Sequence, residues 1–470
     1  NYLKMKTKRL LLPLVAFCVL GLSSCSENDG PAFSSNVLKN TELRNILTSK
    51  GFSFDKEGKL ELNELATSTV SLDLSSTKLT DLSGLDILPN LKEVKLSNNG
   101  YGPTFDFSAL PSQITSVDLT GNNIYDFEGL VDVKIENEEP KTTILHDFKK
   151  LYLPATAKYN VEDLMPYYLL KGQEADMQMA DATGKMQKYN TIREIPDATF
   201  NSYVKTLYPS MYVDGNHIDM AKVPTLADQG HSFLYQPDEE EAPESLEGIE
   251  YFVNNPYLKD FYVALILEKP YSVGRLMPRS NITGLVIGKT EIAGGVDLSK
   301  ATKLGFLILS NCSSITALDL SHTKICNQEI KDFNPFISSR LQISHCPNLE
   351  SITFPKPATN CLPSLLLGDL PKLKKVDLSM IEATEEIHLF LDNTEVVYPK
   401  LKKHYSTSNK TLSDLATSEE QVAFSVSKKM LETPALKAFI KAYGQYCRDD
   451  SEMFSEEFGA AAWKENNEGE

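Results

Sequence analysis

The sequence predicts an α/β fold in which short parallel strands stack as a solenoid, joined by irregular or short-helical returns. Three observations lead to that prediction. Residues 69–77, 91–99 and 114–122 follow one pattern, L-x-x-L-x-L-x-x-N, with Ile, Val or Thr at some positions. The copies begin 22 and then 23 residues apart. Alternating residues such as Leu72 and Leu74 point to the same face of a strand. A fixed period of this length is typical of a leucine-rich repeat solenoid, whose coils bury their apolar edges against one another.

A polar residue ends each of these copies, at Thr77, Asn99 and Asn122. We expect its side chain to hydrogen-bond backbone groups of the turn, which would otherwise be buried without partners. Cys312 and Cys346 occupy the same position in later copies, so we interpret them as small buried residues. A redox or metal role is the alternative, although no C-x-x-C motif or paired His accompanies them.

The repeats divide the chain into segments. In the second half, copies begin at residues 258, 282, 304, 338, 362 and 386, and a second series begins at residues 315, 349 and 373. Helices are expected at both ends, over 37–50 and over Glu419–Tyr446, and the acidic tail is expected to be mobile. The segments are a signal peptide (1–24), a flexible tether (25–36), an N-terminal cap with the first repeat block (37–154), an inserted α+β segment (155–245), a second repeat block (246–400) and a C-terminal helical cap with an acidic tail (401–470).

The first residues resemble a bacterial lipoprotein signal. Met5 is the expected initiator, three basic residues follow it, and Leu10–Leu22 is an apolar run too short to span a membrane comfortably. The next residues, L-S-S-C, are similar to a lipobox, which implies lipidation of Cys25. An ordinary secretory signal with a chance cysteine is the alternative. The short acidic stretch after Cys25 resembles the export signal of surface-exposed lipoproteins in certain Gram-negative gut anaerobes.

Composition narrows the possible partners. The chain carries a formal net charge of −17, and removal of residues 1–24 would bring it to about −21. Because nucleic-acid recognition normally requires a basic face, a nucleic-acid partner is excluded. No G-x-S-x-G, H-E-x-x-H, P-loop or G-x-G-x-x-G motif occurs in a suitable context. We therefore expect neither an enzyme nor a cofactor.

Residues 53–64 match a degenerate calcium-binding loop, with Asp55, Glu57 and Glu64 at ligand positions and Ser53 in place of the usual first Asp. We interpret this stretch as a structural turn, with a weak calcium site as the alternative. The order of a helix, D-x-x-G-x-L-x-x-x-E and then S-L-D-L-S-S-T-K-L is similar to the cap and first coils of internalin-like leucine-rich repeat proteins secreted by bacteria. The resemblance covers the greater part of the chain. It implies a right-handed, curved solenoid that binds proteins or surface polymers.

Outward-facing residues of the predicted strands differ between the two repeat blocks. In the first block they are mostly polar: Asp73, Lys95, Asp118 and Tyr152. In the second block most are apolar, and they would form one stripe for ligand binding or for packing: Tyr262, Val286, Ile308, Gln342, Leu366 and Phe390. Because monomeric proteins seldom expose large apolar patches, we expect the stripe to be covered. Segment 155–245, the terminal helices and a partner are the candidates for that cover.

These observations favour a surface-anchored leucine-rich repeat lipoprotein that acts as a binding or adhesion module. Its ligand would be a protein or a polysaccharide. It would be held at the outer membrane by its lipid alone and exposed on the cell surface. Two alternatives stay open: an enzyme whose site lies in segment 155–245, and a structural subunit of an outer-membrane complex.

Overall fold

The structure is a computed structural model that describes residues 30–136, 139–222, 232–258, 261–326, 340–356, 360–404, 411–415 and 421–464. The chain divides into two compact units. Among the described residues, the first comprises residues 30–69 and 87–90, and the second comprises residues 70–86 and those from 91 onward. No helix among the described residues is both long enough and apolar enough to cross a membrane.

The first unit combines two antiparallel strands with two helices. Its elements are β1 (Phe33–Val37), α1 (Thr41–Ser49), β2 (Lys59–Glu61) and α2 (Glu64–Ser68). The expected N-terminal helix therefore starts at residue 41, because Val37 belongs to β1 and Asn40 caps the helix. The Asn40 side-chain oxygen accepts a hydrogen bond from the Leu43 N–H, and Leu43 and Leu47 bury the apolar side of α1.

The second unit begins with a mostly parallel sheet. The strands of this part are β3 (Ser71–Asp73), β4 (Glu93–Lys95), β5 (Thr104–Asp106), β6 (Ser116–Asp118), β7 (Asp126–Glu128), β8 (Val131–Glu136), β9 (Glu139–Ile144), β10 (Lys150–Leu153), β11 (Asp176–Ala180) and β12 (Met186–Lys188). Six described strands form a sheet in the order β12-β11-β10-β6-β4-β3, and only β12 runs antiparallel to its neighbour. The antiparallel pair β8–β9 occupies the loop that interrupts the first repeat block.

Side-chain amides tie successive strands of this sheet together. The Asn122 Oδ1 atom accepts hydrogen bonds from the N–H groups of Asn99, Gly100 and Tyr101, at 2.9, 3.0 and 3.2 Å. Its Nδ2 atom donates to two carbonyl oxygens, those of Leu96 and Leu119. Asn99 bonds the preceding turn in the same way. The expected role of this position is therefore confirmed.

Segment 155–245 contributes strands to both sheets of the second unit. Its further elements are α3 (Leu164–Tyr167), β13 (Ile192–Glu194), α4 (Ala198–Leu207), β14 (His217–Asp219) and β15 (Ser232–Tyr235). β11 and β12 extend the first sheet, whereas β15 starts the second. The repeat pattern is lost here, but buried residues such as Met177 and Phe233 still anchor these strands.

The second sheet contains nine described strands, all parallel, in the order β15-β16-β18-β20-β22-β24-β27-β30-β31. The elements after β15 are α5 (Glu250–Val253), β16 (Phe261–Leu265), β17 (Tyr271–Val273), β18 (Ile282–Gly288), β19 (Thr290–Ile292), β20 (Phe306–Ser310), β21 (Ala317–Asp319), β22 (Arg340–Ser344), β23 (Ser351–Thr353), β24 (Ser364–Gly368), β25 (Lys375–Asp377), β26 (Ala383–Thr384), β27 (Glu386–Phe390), β28 (Glu395–Val397), β29 (Lys403–His404), α6 (Leu412–Leu415), β30 (Val422–Val426), α7 (Pro434–Tyr443), β31 (Cys447–Asp449) and α8 (Ser455–Phe458).

The second repeat series also forms strands, in the parallel pairs β21–β23 and β25–β28. Alternate residues of the nine-stranded sheet point inward, and Leu285, Leu307, Leu341 and Leu365 are completely buried there. Each such leucine contributes about 1.5–3 kcal/mol through burial of its side chain. The described part of the chain is thus a mixed α/β structure of mostly parallel sheets with few, short helices.

The prediction of helices over Glu419–Tyr446 is wrong in its first half. Val422–Val426 is a fully buried strand of the nine-stranded sheet, and only Pro434–Tyr443 is an α-helix. The residues that follow are also ordered into the fold as far as residue 464. The Trp463 side chain is buried, and its indole N–H donates to the Phe424 carbonyl at 2.7 Å. Residues 465–470, the end of the expected mobile tail, lie outside the described residues.

Candidate functional site

Two of the sites predicted from sequence, the lipidation site and the candidate calcium loop, lie in the first part of the chain. Cys25 and the signal region 1–24 lie outside the described residues, so lipidation stays a prediction. In the candidate calcium loop, the Asp55 carboxylate accepts hydrogen bonds from the N–H groups of Glu57 and Lys59, at 2.9 and 2.8 Å. Glu57 pairs with Lys59, and Glu64 is the first residue of α2.

The Asp55 turn closes on itself because Gly58 has a left-handed backbone, with φ of +89°. Asp55, Glu57 and Glu64 are not among the carboxylates that the described part of the chain brings close enough together to hold a metal ion. The geometry is that of a hairpin turn whose carboxylate satisfies backbone N–H groups.

The outward face of the nine-stranded sheet carries the predicted stripe. We use this name for the residues that alternate with the buried ones, and strand pairing arranges them in three rows. The first row is Ser232, Tyr262, Gly284, Phe306, Arg340, Ser364 and Glu386; the middle row is Leu234, Ala264, Val286, Ile308, Gln342, Leu366 and His388; the third row is Gly288, Ser310, Ser344, Gly368 and Phe390.

The pairing register distributes the six predicted residues over these rows. Val286, Ile308 and Leu366 share the middle row, as does Gln342 between them. Tyr262 pairs with Gly284, in the first row, and Phe390 pairs with Gly368, in the third. The single continuous stripe is therefore replaced by a broader face, because the strands at each end are displaced by two residues relative to the motif alignment.

The helical segment Ser451–Phe458 covers one end of this face. It consists of a 3-10 turn over Ser451–Phe454 followed by α8. The ring of Phe458 stacks on that of Phe390, with centroids 4.4 Å apart and planes at 4°. Phe454 contacts the same ring at 5.4 Å and the His388 imidazole at 4.5 Å. This segment thereby supplies intramolecular cover of the kind expected from a terminal helix.

The residues of the face that lie next to the helical segment Ser451–Phe458 are buried. Leu366 is 7 % exposed and Phe390 in the neighbouring row is 4 % exposed. Towards β15 the exposure varies: Ile308 and Val286 are half-buried, Ala264 is buried, and Leu234 is 52 % exposed. We call the outward residues of β15, β16, β18 and β20 the open part of the face.

Aromatic side chains flank the open part. Tyr262 and Phe306 meet edge to face, with centroids 5.5 Å apart, and both are half-buried. The Arg340 guanidinium lies over the Phe306 ring, 5.9 Å from its centroid, and pairs with Glu386 at 3.3 Å. Ile266, just after β16, is 44 % exposed. The open part is therefore an apolar and aromatic surface with a cation on its margin.

The corresponding face of the six-stranded sheet is polar and internally hydrogen-bonded. The Lys150 ammonium contacts Glu93 at 2.7 Å and lies over the Tyr152 ring. The Tyr152 hydroxyl donates to Asp176 at 2.7 Å, and the Gln178 amide donates to the same carboxylate. These groups satisfy one another beside solvent, so this face offers no apolar surface to a partner.

A buried charge cluster, which the sequence analysis missed, joins distant parts of the second unit. Asp126, Glu162 and Asp163 bring carboxylate oxygens within 4.8 Å of one another. The Arg279 guanidinium bonds Asp126 at 3.1 Å and Glu162 at 3.0 Å, and Lys300 contacts Glu162 at 3.0 Å. Burial, aided by the two neighbouring carboxylates, raises the pKa of Asp163 to about 7. No local spacing signals the cluster, because 153 residues separate Asp126 from Arg279.

Oxygen ligands of this kind suit magnesium or calcium. The described arrangement places two protein cations against these carboxylates instead, and Asn160 also donates to Asp126 and Asp163. Asp126 and Arg279 are almost fully buried, so removal of either partner would leave an uncompensated charge inside the protein. We therefore interpret the cluster as a structural connection.

A cleft of about 330 Å³ lies beside α5. The stacked rings of Tyr125 and Tyr159 line it, with centroids 6.1 Å apart. Glu250 on α5 is fully buried, and this burial raises its pKa. The Glu250 carboxylate nevertheless accepts hydrogen bonds from the N–H groups of Gly274 and Gly248. Its charged neighbours Lys158 and Glu247 also pair with each other. The cleft combines aromatic and other apolar walls with polar groups, and its described charged groups already have partners.

The five described cysteines are free thiols and all are buried: Cys312, Cys326, Cys346, Cys361 and Cys447. Cys312 donates to the Ser310 carbonyl at 3.4 Å, and Cys346 donates to the Ser344 carbonyl at 3.3 Å. They occupy a turn position equivalent to that of Asn122, but a thiol forms weaker hydrogen bonds than an amide.

No protein-family model matches the chain, and no curated protein matches it. The case for function therefore depends on the geometry of the molecule itself.

Proposed function

We propose that the chain is a leucine-rich repeat solenoid that acts as a binding or adhesion module, with the open part of the outward face as its recognition surface. Lipidation at Cys25 would anchor it to the outer membrane and present it at the cell surface. Its ligand would be a protein or a surface polymer. The internalin-like pattern of the first coils supports the architecture, and the signal region supports the location.

One observation carries the assignment of the surface. Val286 and Ile308 pair on neighbouring strands and are half-buried, and Leu234 and Ile266 are exposed, although all four are apolar. The buried Ala264 lies between Leu234 and Val286. Exposed apolar surface commonly marks an interaction site. Aromatic residues and arginine, which are enriched at interface centres, flank the same surface.

A small-molecule site in the cleft beside α5 is the second candidate. The stacked Tyr125 and Tyr159 rings and the buried Glu250 favour it, because pockets that combine apolar walls with a few polar groups commonly hold ligands. Against it, the Lys158 and Glu247 charges already neutralise each other. An enzyme would need a reactive group that is left available to substrate.

The test uses the purified chain from residue 26 onward against an array of cell-surface polysaccharides and extracellular proteins. We expect saturable binding that Ile308→Asp abolishes. Thr353→Asp is the matched control, because Thr353 is an exposed strand residue of the second repeat series. Leu234→Asp, at an exposed edge position, serves as a second variant if Ile308→Asp unfolds. Binding that neither face variant reduces would refute the assignment of the surface.

A further inference from the structure

The helical segment Ser451–Phe458 shows that the outward face can bind aromatic side chains. The helical segment Ser451–Phe458 places Phe454 and Phe458, which are four residues apart, against Phe390. Side chains at this spacing share one side of a helical segment. Phe458 also lies directly over Gly368, where an added Cβ would come within 2.6 Å of the ring. Gly368, in the third row, thus leaves room for an aromatic ring to lie against the sheet. We call such a glycine position a seat.

The open part repeats this seat. Gly288 lies in the same row as Gly368, and among the described residues no ring atom lies within 4 Å of the position that its Cβ would occupy. Val286 and Ile308 lie beside it in the middle row, as Leu366 does beside Gly368. The face that already binds one aromatic segment therefore continues over the neighbouring strands with similar chemistry. No described ring lies over Gly288, where the nearest side-chain atom is the Ser310 Oγ, 3.2 Å from the position of an added Cβ.

The described charges beside the open part are already paired. Arg340 contacts Glu386 at 3.3 Å, and the Lys289 ammonium lies 3.6 Å from the Glu268 carboxylate. These pairs leave apolar and aromatic contacts to select the partner.

We propose that the open part of the outward face binds a short helical segment of a partner protein, with two aromatic side chains one turn apart, in the manner of Ser451–Phe458. This inference rests on the proposed function and names the class of ligand. One ring would occupy the Gly288 seat, and the other would pack on Ile308. Helix-in-groove recognition commonly depends on anchors with this spacing.

The test uses the full chain and a fluorescent peptide with the sequence of residues 449–461 as the probe. We expect saturable binding by anisotropy. Gly288→Val fills the seat and Ile308→Asp places a charge beside it, so each should weaken binding about tenfold or more. Thr353→Asp should leave binding unchanged. A peptide with Phe454→Ala and Phe458→Ala should also bind about tenfold more weakly or worse.

Other outcomes would overturn the proposal. If Gly368→Val weakens peptide binding while Gly288→Val does not, the peptide is exchanging with the chain's own segment. If the chain self-associates without peptide and Ile308→Asp prevents it, the occupant is a second copy. If the array ligand depends on Ile308 but the peptide neither binds nor competes, this inference fails and the proposed function stands. If no array ligand depends on Ile308, the proposed function fails.

Discussion

Replacement of Asn122 by alanine tests how the polar turn position stabilises the stacked strands. The change removes three acceptor contacts to N–H groups and two donor contacts to carbonyl groups. Each buried backbone group that loses its partner costs about 1–3 kcal/mol, and partial hydration of the part-buried N–H groups lowers the sum. We expect Asn122→Ala to reduce the free energy of unfolding by about 3–5 kcal/mol, measured by urea denaturation.

The loss should also be local. Backbone amides of Asn99, Gly100 and Tyr101 should exchange hydrogen about tenfold faster or more in Asn122→Ala, because their acceptor is gone. Asn190→Ala is the control, since the side chain of exposed Asn190 accepts one described bond, from the Ile192 N–H. Unchanged protection at those three amides, with a stability loss no larger than that of the control, would refute this account of the turn.

Three further predictions follow from the core, the covering segment and the charge cluster. Cys312→Ala should cost only about 1 kcal/mol in the same urea assay, because the thiol bond is long and weak; a loss near that of the asparagine replacement would contradict this. Gly368→Val should displace Phe458 and expose residues 451–458 to limited proteolysis, whereas Gly288→Val should not; equal cleavage of both would contradict the seat. Because the pKa of Asp163 is raised to about 7 in the folded chain from its ordinary 3.8, the folded state holds this proton more tightly. Stability should therefore fall as pH rises from about 4 to about 7, and Asp163→Asn should remove that fall in unfolding midpoints measured across this range.

Local sequence pattern predicted much of the strand arrangement. The repeated leucines indicated strands in the correct order, including the second series, because alternate apolar residues must face a shared core. The same pattern could not fix the register at the ends of the second sheet. The ladder is irregular between Phe261 and Tyr262. At both ends, a displacement of two residues keeps the inward and outward sides unchanged. Leucine spacing alone therefore cannot reveal this displacement in register.

Contacts across long sequence distances were not predictable in this way. Val422–Val426 alternates apolar residues like a strand, but its context of charged residues before Pro434 favoured a helix. In the structure this segment pairs with the edge of β27 and forms a strand. The Asp126–Arg279 pair arises only when β7 and the loop before β18 meet. Neither residue has a local signature, since charged residues on a surface helix or loop are common.

The position of the covering segment has a consequence for synthesis. A chain that has been made only as far as residue 420 lacks β30, β31, Trp463 and the aromatic side chains that close the end of the sheet. The edge of β27 would then be free to pair with strands of other molecules. The second sheet thus depends on late residues, and a truncated chain would expose an edge that favours aggregation.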